Sequence, residues 1–186
     1  SETMKLFSWL NSIRRSLAQT RRRPFCPSTS RIEALEDRTL LSVFSVNSTA
    51  DTVDADPGDG VAEDADGNTT LRAAIMEANA SAGADSISLP AGTYALSIAG
   101  QGEEASATGD LDITENLSIV GAGAANTIID SNEIDRVFHL AGGVTANISD
   151  VTLKNGTAPG TQPSEGGGAM RTEGGTAVSE DTILTV

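Results

Sequence analysis

Cysteine is nearly absent: Cys26 is the single example among 186 residues. No intrachain disulfide can form, and no cysteine metal cluster exists. Histidine is equally scarce, so any catalytic base of that type would have to be His139. Aromatic side chains make up 3% of the chain, fewer than compact α/β enzyme cores generally use. No stretch approaches the roughly 18 consecutive apolar residues that a membrane-spanning helix requires. Basic groups are missing from most of the chain. Residues 43–186 carry four (Arg72, Arg136, Lys154 and Arg171) against twenty-two acids, a net charge of −18. A surface of that sign repels nucleic acid, which is bound by neutralising phosphates with Lys and Arg. It attracts cations instead.

Residues 1–42 are the opposite, with eight basic and four acidic side chains. Such an asymmetry marks a basic leader attached to an acidic folded body. The leader departs from a conventional secretory signal, because the apolar LFSWL is short and its arginines follow rather than precede it. Leu6, Leu10, Ile13 and Leu17 fall at helical spacing and suggest a basic amphipathic helix. Downstream, Arg31 to Ser42 reads RIEALEDRTLLS. Leu35, Glu36, Arg38, Leu40, Leu41 and Ser42 resemble the LEPR-XLL motif of large exported bacterial proteins, with Asp37 where that motif has Pro. The resemblance implies engagement of export machinery and a secreted or cell-surface destination.

Residues 43–84 read as a loop-helix module. Phe44 to Asn47 alternates apolar and polar side chains, as a half-buried strand does. A loop rich in Asp and Gly follows, and then a helix. Thr69 or Thr70 is its expected N-cap. Leu71, Ile75 and Ala78 share one face with Ala74 beside them, while Arg72 and Glu77 project elsewhere. Asn79 and Gly83 are expected to end the helix, Gly83 through the left-handed conformation. NSTADTVDADPGDGV and TLRAAIMEANA resemble the CSLREA-type module found ahead of parallel β-helix regions in secreted bacterial proteins. That module usually carries two cysteines flanking the loop, and Ala62 and Thr69 stand in their places here. The loop therefore needs another staple or is mobile. Ca²⁺, a hard cation that takes six to eight oxygen ligands, is one candidate. Asp54, Asp56 and Asp59 would be its first ligands, and Asp64 and Asp66 its second. The EF-hand spacing is not met, and a solvated acidic turn is the alternative.

Residues 85–186 read as short strands separated by turns such as Pro90-Ala91-Gly92 and Asn155-Gly156. Expected strands are 86–89, 93–98, 111–113, 116–120, 127–130, 136–140, 146–148 and 151–154. Two blocks repeat: Ile148-Ser149-Asp150-Val151-Thr152-Leu153 and Val178-Ser179-Glu180-Asp181-Thr182-Ile183, thirty positions apart. Each follows a Gly-Gly pair, which favours a stacked repeat architecture. NLSIVGAGAANTIIDSNEIDRVFHLAGG and GGGAM resemble right-handed parallel β-helix proteins of the pectate-lyase-like and adhesin type. The expected class is thus mainly β: an incomplete right-handed parallel β-helix with one N-terminal capping helix over its first turn. A β-sandwich is the alternative. No polar capping rung follows Ile183 to Val186, which suggests a truncated solenoid.

No catalytic constellation stands out. His139 alternates with apolar neighbours and is expected to face outward from a strand, without a nucleophile or orienting partner. Asp110 with Asp112, and Asp130 with Glu133 and Asp135, invite comparison with β-helix polysaccharide lyases, with Arg136 or Lys154 as the proton acceptor. The plainer expectation is a solvated outer face. The leading reading is a non-enzymatic surface or secreted protein in adhesion or envelope structure, with cell-envelope components or extracellular polysaccharide as partners. A carbohydrate-active β-helix enzyme and a non-functional fragment are the alternatives.

Overall fold

The described residues, 41–158 and 168–185 of the computed structural model, contain twelve short strands and one helix joined by turns and loops. The leader expected over residues 1–42 lies outside the described residues except for its last two positions. The strands are β1 (Val43–Ser45), β2 (Asp85–Ser88), β3 (Gly92–Ala95), β4 (Leu111–Ile113), β5 (Leu117–Val120) and β6 (Thr127–Asp130). They continue with β7 (Phe138–Leu140), β8 (Thr145–Ser149), β9 (Thr152–Lys154), β10 (Met170–Thr172), β11 (Thr176–Glu180) and β12 (Ile183–Thr185). The helix, α1, is Leu71–Ala80.

These strands form three sheets, ordered β1-β2-β5-β8-β11, β3-β6-β9-β12 and β4-β7-β10. Every pairing among them is parallel. A β-sandwich pairs its strands antiparallel, so that alternative does not fit the described residues. From β2 onward the chain visits the three sheets in strict rotation, and each return lays a strand beside its predecessor. Side chains of like kind therefore stack. Phe44, Ile87, Ile119 and Ile148 form one row of successive partners, and Tyr94, Ile129 and Leu153 form a second. In the third sheet Leu111 meets Phe138, and Ile113 meets Leu140. All of these are buried in one apolar core. Burying such a side chain stabilises by ~1.5–3 kcal/mol, so the rows fix the register of each circuit.

The thirty-residue alignment of the two repeat blocks slips by one in the structure. Val178 pairs with Asn147, and Ser179 takes the position beside Ile148. Leu184 pairs with Leu153. The turns agree: Asp150 and Asp181, which precede β9 and β12, share a left-handed backbone with φ of 58° and 48°. Asp tolerates that conformation because its short polar side chain can bond locally. A one-residue shift exchanges the two faces of a strand, so Val178 stands on the side of the exposed Asn147 rather than that of the buried Ile148.

α1 closes one end of the core. Thr70 caps it, its hydroxyl accepting from the Ala73 N–H at 3.1 Å and donating to the Thr52 carbonyl at 2.7 Å. Leu71, Ala74, Ile75 and Ala78 join the same apolar cluster as Phe44 and Ile87. The helix ends differently from expectation. Ser81 terminates it in an extended conformation, and Asn79 remains helical because its side chain has another task. The Asn79 amide donates to the Asp112 carbonyl at 2.8 Å and accepts from the Thr114 N–H at 2.9 Å, tying α1 to β4.

Arg72 and Glu77 are likewise not surface residues, at 1% and 0% exposure. The Glu77 carboxylate accepts the N–H groups of Gly58 and Gly60. This is the staple that holds the acidic loop. Arg72 is the second tie. Its Nε donates to Asp51 Oδ1 at 2.6 Å, and its terminal nitrogens reach the carbonyls of Ser106 at 2.8 Å and Gly109 at 2.9 Å. Asp51 Oδ2 in turn accepts from the N–H groups of Ser97 and Ile98. One helical arginine thus anchors both ends of the segment between β3 and β4.

Candidate functional site

That anchored segment, residues 99–110, lies over the outer side of β4 and β7. The three-residue strands Leu111-Asp112-Ile113 and Phe138-His139-Leu140 each turn their middle side chain away from the apolar core. Parallel register then sets Asp112 directly beside His139, with Arg171 of β10 next in the row. His139 does face outward from its strand, as expected, yet it is only 4% exposed because the 99–110 segment covers it.

His139 Nδ1 lies 3.0 Å from Asp112 Oδ1 and 3.2 Å from Glu104 Oε2. Its Nε2 is buried without a hydrogen bond, and Glu173 Oε1 lies 3.5 Å away. Asp112 is held on both sides. Its Oδ2 accepts from the Ser106 N–H at 3.1 Å, and its own N–H donates to the Ser106 hydroxyl at 2.6 Å. Ser106 adopts a left-handed backbone at φ 57° to do this, a conformation that costs a non-glycine residue energy unless its surroundings enforce it. The Arg72 bond to its carbonyl is part of that enforcement.

Beside this group opens a cleft of about 270 Å³ lined by Glu103, Glu104, Asp110, Asp135, Arg136, His139 and Arg171, among others. Asp110 and Asp112 are 6% and 1% exposed, which overturns the expectation of a solvated acidic face. Burial, reinforced by the neighbouring Asp135 charge, pushes the Asp110 carboxyl up to about 6. Burial and the Asp110 charge push Asp112 up to about 7. Arg136 stands 3.8 Å from Asp110 and 4.0 Å from Asp135. The other residues considered with Asp135 lie apart from the cleft. Asp130 is occupied by Lys154 at 3.1 Å and by the Asn155 side chain, and Glu133 serves a backbone turn. Burial raises the Asp130 carboxyl, but the Asn132 N–H and these partners outweigh it and hold it below the usual range.

The five loop aspartates expected as Ca²⁺ ligands stand in different surroundings. Asp64 accepts from the N–H groups of Asp66 and Asn68 and from the Thr52 hydroxyl, and the Asn68 and Thr52 bonds hold it below the usual carboxylate range. Asp59 accepts from the Val61 N–H at 2.7 Å. Asp56 and Asp66 are exposed. Asp54 is buried, its Oδ1 accepting from the Asp56 N–H, while its Oδ2 has no hydrogen bond. Burial raises its pKa, and the Glu77, Asp59 and Asp56 charges add to that. Among the described residues, one trio of His and carboxylate side chains brings its ligand atoms within 4.8 Å of one another, and it is Glu104, Asp112 and His139. The loop aspartates do not converge in that way.

Glu104 and Ser106 escape sequence reasoning because they sit in an irregular segment whose course depends on a buried arginine. The Asp112–His139 pairing had a faint signal. LDI and FHL are both apolar-polar-apolar triplets at the edge of a Gly-rich turn, and stacking them required only the rung register.

No family model, curated protein or solved structure matches this chain.

Proposed function

We propose that the described region is part of a right-handed parallel β-helix, with α1 and the acidic loop as its N-terminal cap, in an exported bacterial protein of the cell surface or extracellular space. Its role in this reading is non-enzymatic: an extended scaffold that contacts envelope components or extracellular polysaccharide. The observation that carries the reading is the strict rotation of strands through three parallel sheets. An architecture that grows by adding circuits generates a long lateral face. The acidity of residues 43–186 fits a molecule that stays dispersed and recruits cations. No helix of the described residues is long and apolar enough to cross a membrane.

Fusing the full chain to alkaline phosphatase, which is active only after leaving the reducing cytoplasm, tests the export half. Activity that disappears when residues 1–42 are deleted is the expected result. An inactive fusion of the intact chain would remove the surface assignment. Pull-down of the intact chain by insoluble envelope material and acidic polysaccharides tests the binding half.

A lyase acting on acidic polysaccharide is the second reading, favoured by one observation. Asp110, Asp135, Arg136 and His139 line a single cleft, an arrangement in which a basic group and clustered acids could act together. The appearance of unsaturated product from polygalacturonate or alginate, followed by ultraviolet absorbance, would replace the scaffold reading with this one.

A further inference from the structure

We propose that His139 Nδ1, Asp112 and Glu104 form a binding site for a divalent transition-metal ion of the Zn²⁺ type, open toward the adjoining cleft. This site is distinct from the acidic loop and independent of whether the protein is exported.

The argument starts from the imidazole. A neutral ring with its proton on Nε2 turns the Nδ1 lone pair toward two carboxylate oxygens, at 3.0 and 3.2 Å. A proton held between Nδ1 and Asp112 Oδ1 satisfies that pair alone and leaves the Glu104 oxygen facing the same nitrogen. A proton on Nδ1 can serve one carboxylate in a linear bond but not both. A metal ion serves all three. Tetrahedral Zn²⁺ with bonds of about 2.0–2.1 Å to nitrogen and oxygen spaces its ligands about 3.3 Å apart. The separations around Nδ1 are close to that before any ion enters.

The surroundings match what a metal site needs beyond its ligands. A ligating histidine commonly donates its other ring N–H to a carboxylate, which fixes the tautomer. Here Glu173 Oε1, which also accepts from Arg171 at 2.6 Å, stands 3.5 Å from the buried Nε2, within reach of a small side-chain adjustment. A ligating carboxylate is itself usually held by a further hydrogen bond, and the Ser106 N–H holds Asp112 Oδ2. Glu104 differs from the other two, with its side chain 67% exposed. It sits at the mouth, and the cleft of about 270 Å³ beside it leaves room for water or a small ligand to complete the coordination. Three protein ligands with an open position is the pattern of zinc sites that bind exchangeable ligands. One imidazole among carboxylates favours a borderline transition ion over Ca²⁺ and Mg²⁺, which take oxygen ligands throughout.

Isothermal titration of the chelator-treated full chain with Zn²⁺ tests this, alongside Ca²⁺ and two variants. Glu104→Gln is the informative one, because its exposed side chain can change without disturbing the fold. The expected result is one Zn²⁺ per chain, at least about tenfold weaker binding in Glu104→Gln, and loss of binding in His139→Asn. Imidazole ¹⁵N spectra should show Nδ1 shifting on metal addition while Nε2 keeps its proton. The Asp54→Asn variant in the acidic loop should bind as the unmodified chain does. Zn²⁺ binding unchanged in Glu104→Gln and His139→Asn would overturn the proposal, as would binding matched by equal Ca²⁺ or no binding at millimolar Zn²⁺. Should His139→Asn fail to fold, Glu104→Gln and the ¹⁵N spectra decide alone.

Discussion

Replacing Arg72 with Met should be among the most damaging single changes in the molecule. The side chain is of similar length, so what is lost is the charge and its donors. In the native chain the guanidinium pairs with Asp51, whose side chain is 3% exposed, and supplies the carbonyls of Ser106 and Gly109. Breaking a buried ion pair from one side costs about 3–5 kcal/mol, because the partner charge remains. Asp51 keeps the Ser97 and Ile98 N–H groups, which favours the low end of that range. Each carbonyl left without a donor adds about 1–3 kcal/mol if water cannot reach it. These terms are not additive, so a total near 4–5 kcal/mol is a fair expectation against a whole-domain stability of roughly 5–15 kcal/mol. Urea unfolding of the full chain by circular dichroism measures it. Arg72→Lys should recover part of the loss but not all, since an ammonium lacks the fork that reaches Asp51 and several backbone carbonyls at once. In the double variant Asp51→Asn/Arg72→Met the cost should fall below the sum of the single costs by about 1–3 kcal/mol. Amide exchange within residues 98–110 should accelerate first in Arg72→Met. A loss under about 1 kcal/mol with unchanged exchange in that segment would refute the role assigned to this arginine.

Glu77→Gln removes one charge and half the acceptors that hold the Gly58 and Gly60 N–H groups. Charge-assisted bonds are worth about 1.5–3 kcal/mol, and a loss of that order, with faster proteolysis inside residues 55–67, is expected. Gly121→Ala would set its Cβ 2.7 Å from Val151 Cγ1 and closer still to the Asp150 carbonyl, a backbone atom that cannot step aside. Overpacking of that kind costs about 1–3 kcal/mol, readable as a lower urea midpoint at unchanged slope. The pH dependence follows from Asp110 and Asp112, whose carboxyls sit at about 6 and about 7 in the fold against 3.8 for a free side chain. The folded chain holds these protons more tightly than the unfolded one, so their contribution is full below about pH 4 and is lost as pH rises through 6 to 7. Thermal melts in chelator should show a falling midpoint over that interval. Asp112→Asn should flatten the curve, and an unaltered slope in that variant would place the effect elsewhere on the acidic surface.

Much of the strand pattern was legible, because parallel strands carry their own evidence: short apolar alternations punctuated by Gly, Pro and Asn. Thr127 to Asp130 and Leu111 to Ile113 are strands where the alternation places them. What alternation does not contain is register between circuits. Ile148-Ser149-Asp150 resembles Val178-Ser179-Glu180, yet the strands pair one residue along, and the left-handed turns at Asp150 and Asp181 keep that same spacing. Apolar stacking and turn geometry together set the register, and the likeness of two short blocks does not.

The candidate site was obscured by the same cause acting twice. Asp112 and His139 become neighbours only when β4 and β7 are stacked in register. They are buried only when the 99–110 segment is drawn over them, and that segment is fastened by Arg72, a residue whose helical position put it off the apolar face. A charged residue on the polar side of a short helix is ordinarily solvated. Here that side of α1 looks onto the backbone of the covering segment, where carbonyl groups need donors. The arginine at 72 therefore connects a helix cap to a histidine in sequence-distant β7 through Ser106 and Asp112. Perturbing the cap should be felt at the site. If Zn²⁺ affinity survives Arg72→Met unchanged while residues 98–110 exchange freely, the two are not mechanically connected, and the site is held by β4 and β7 alone.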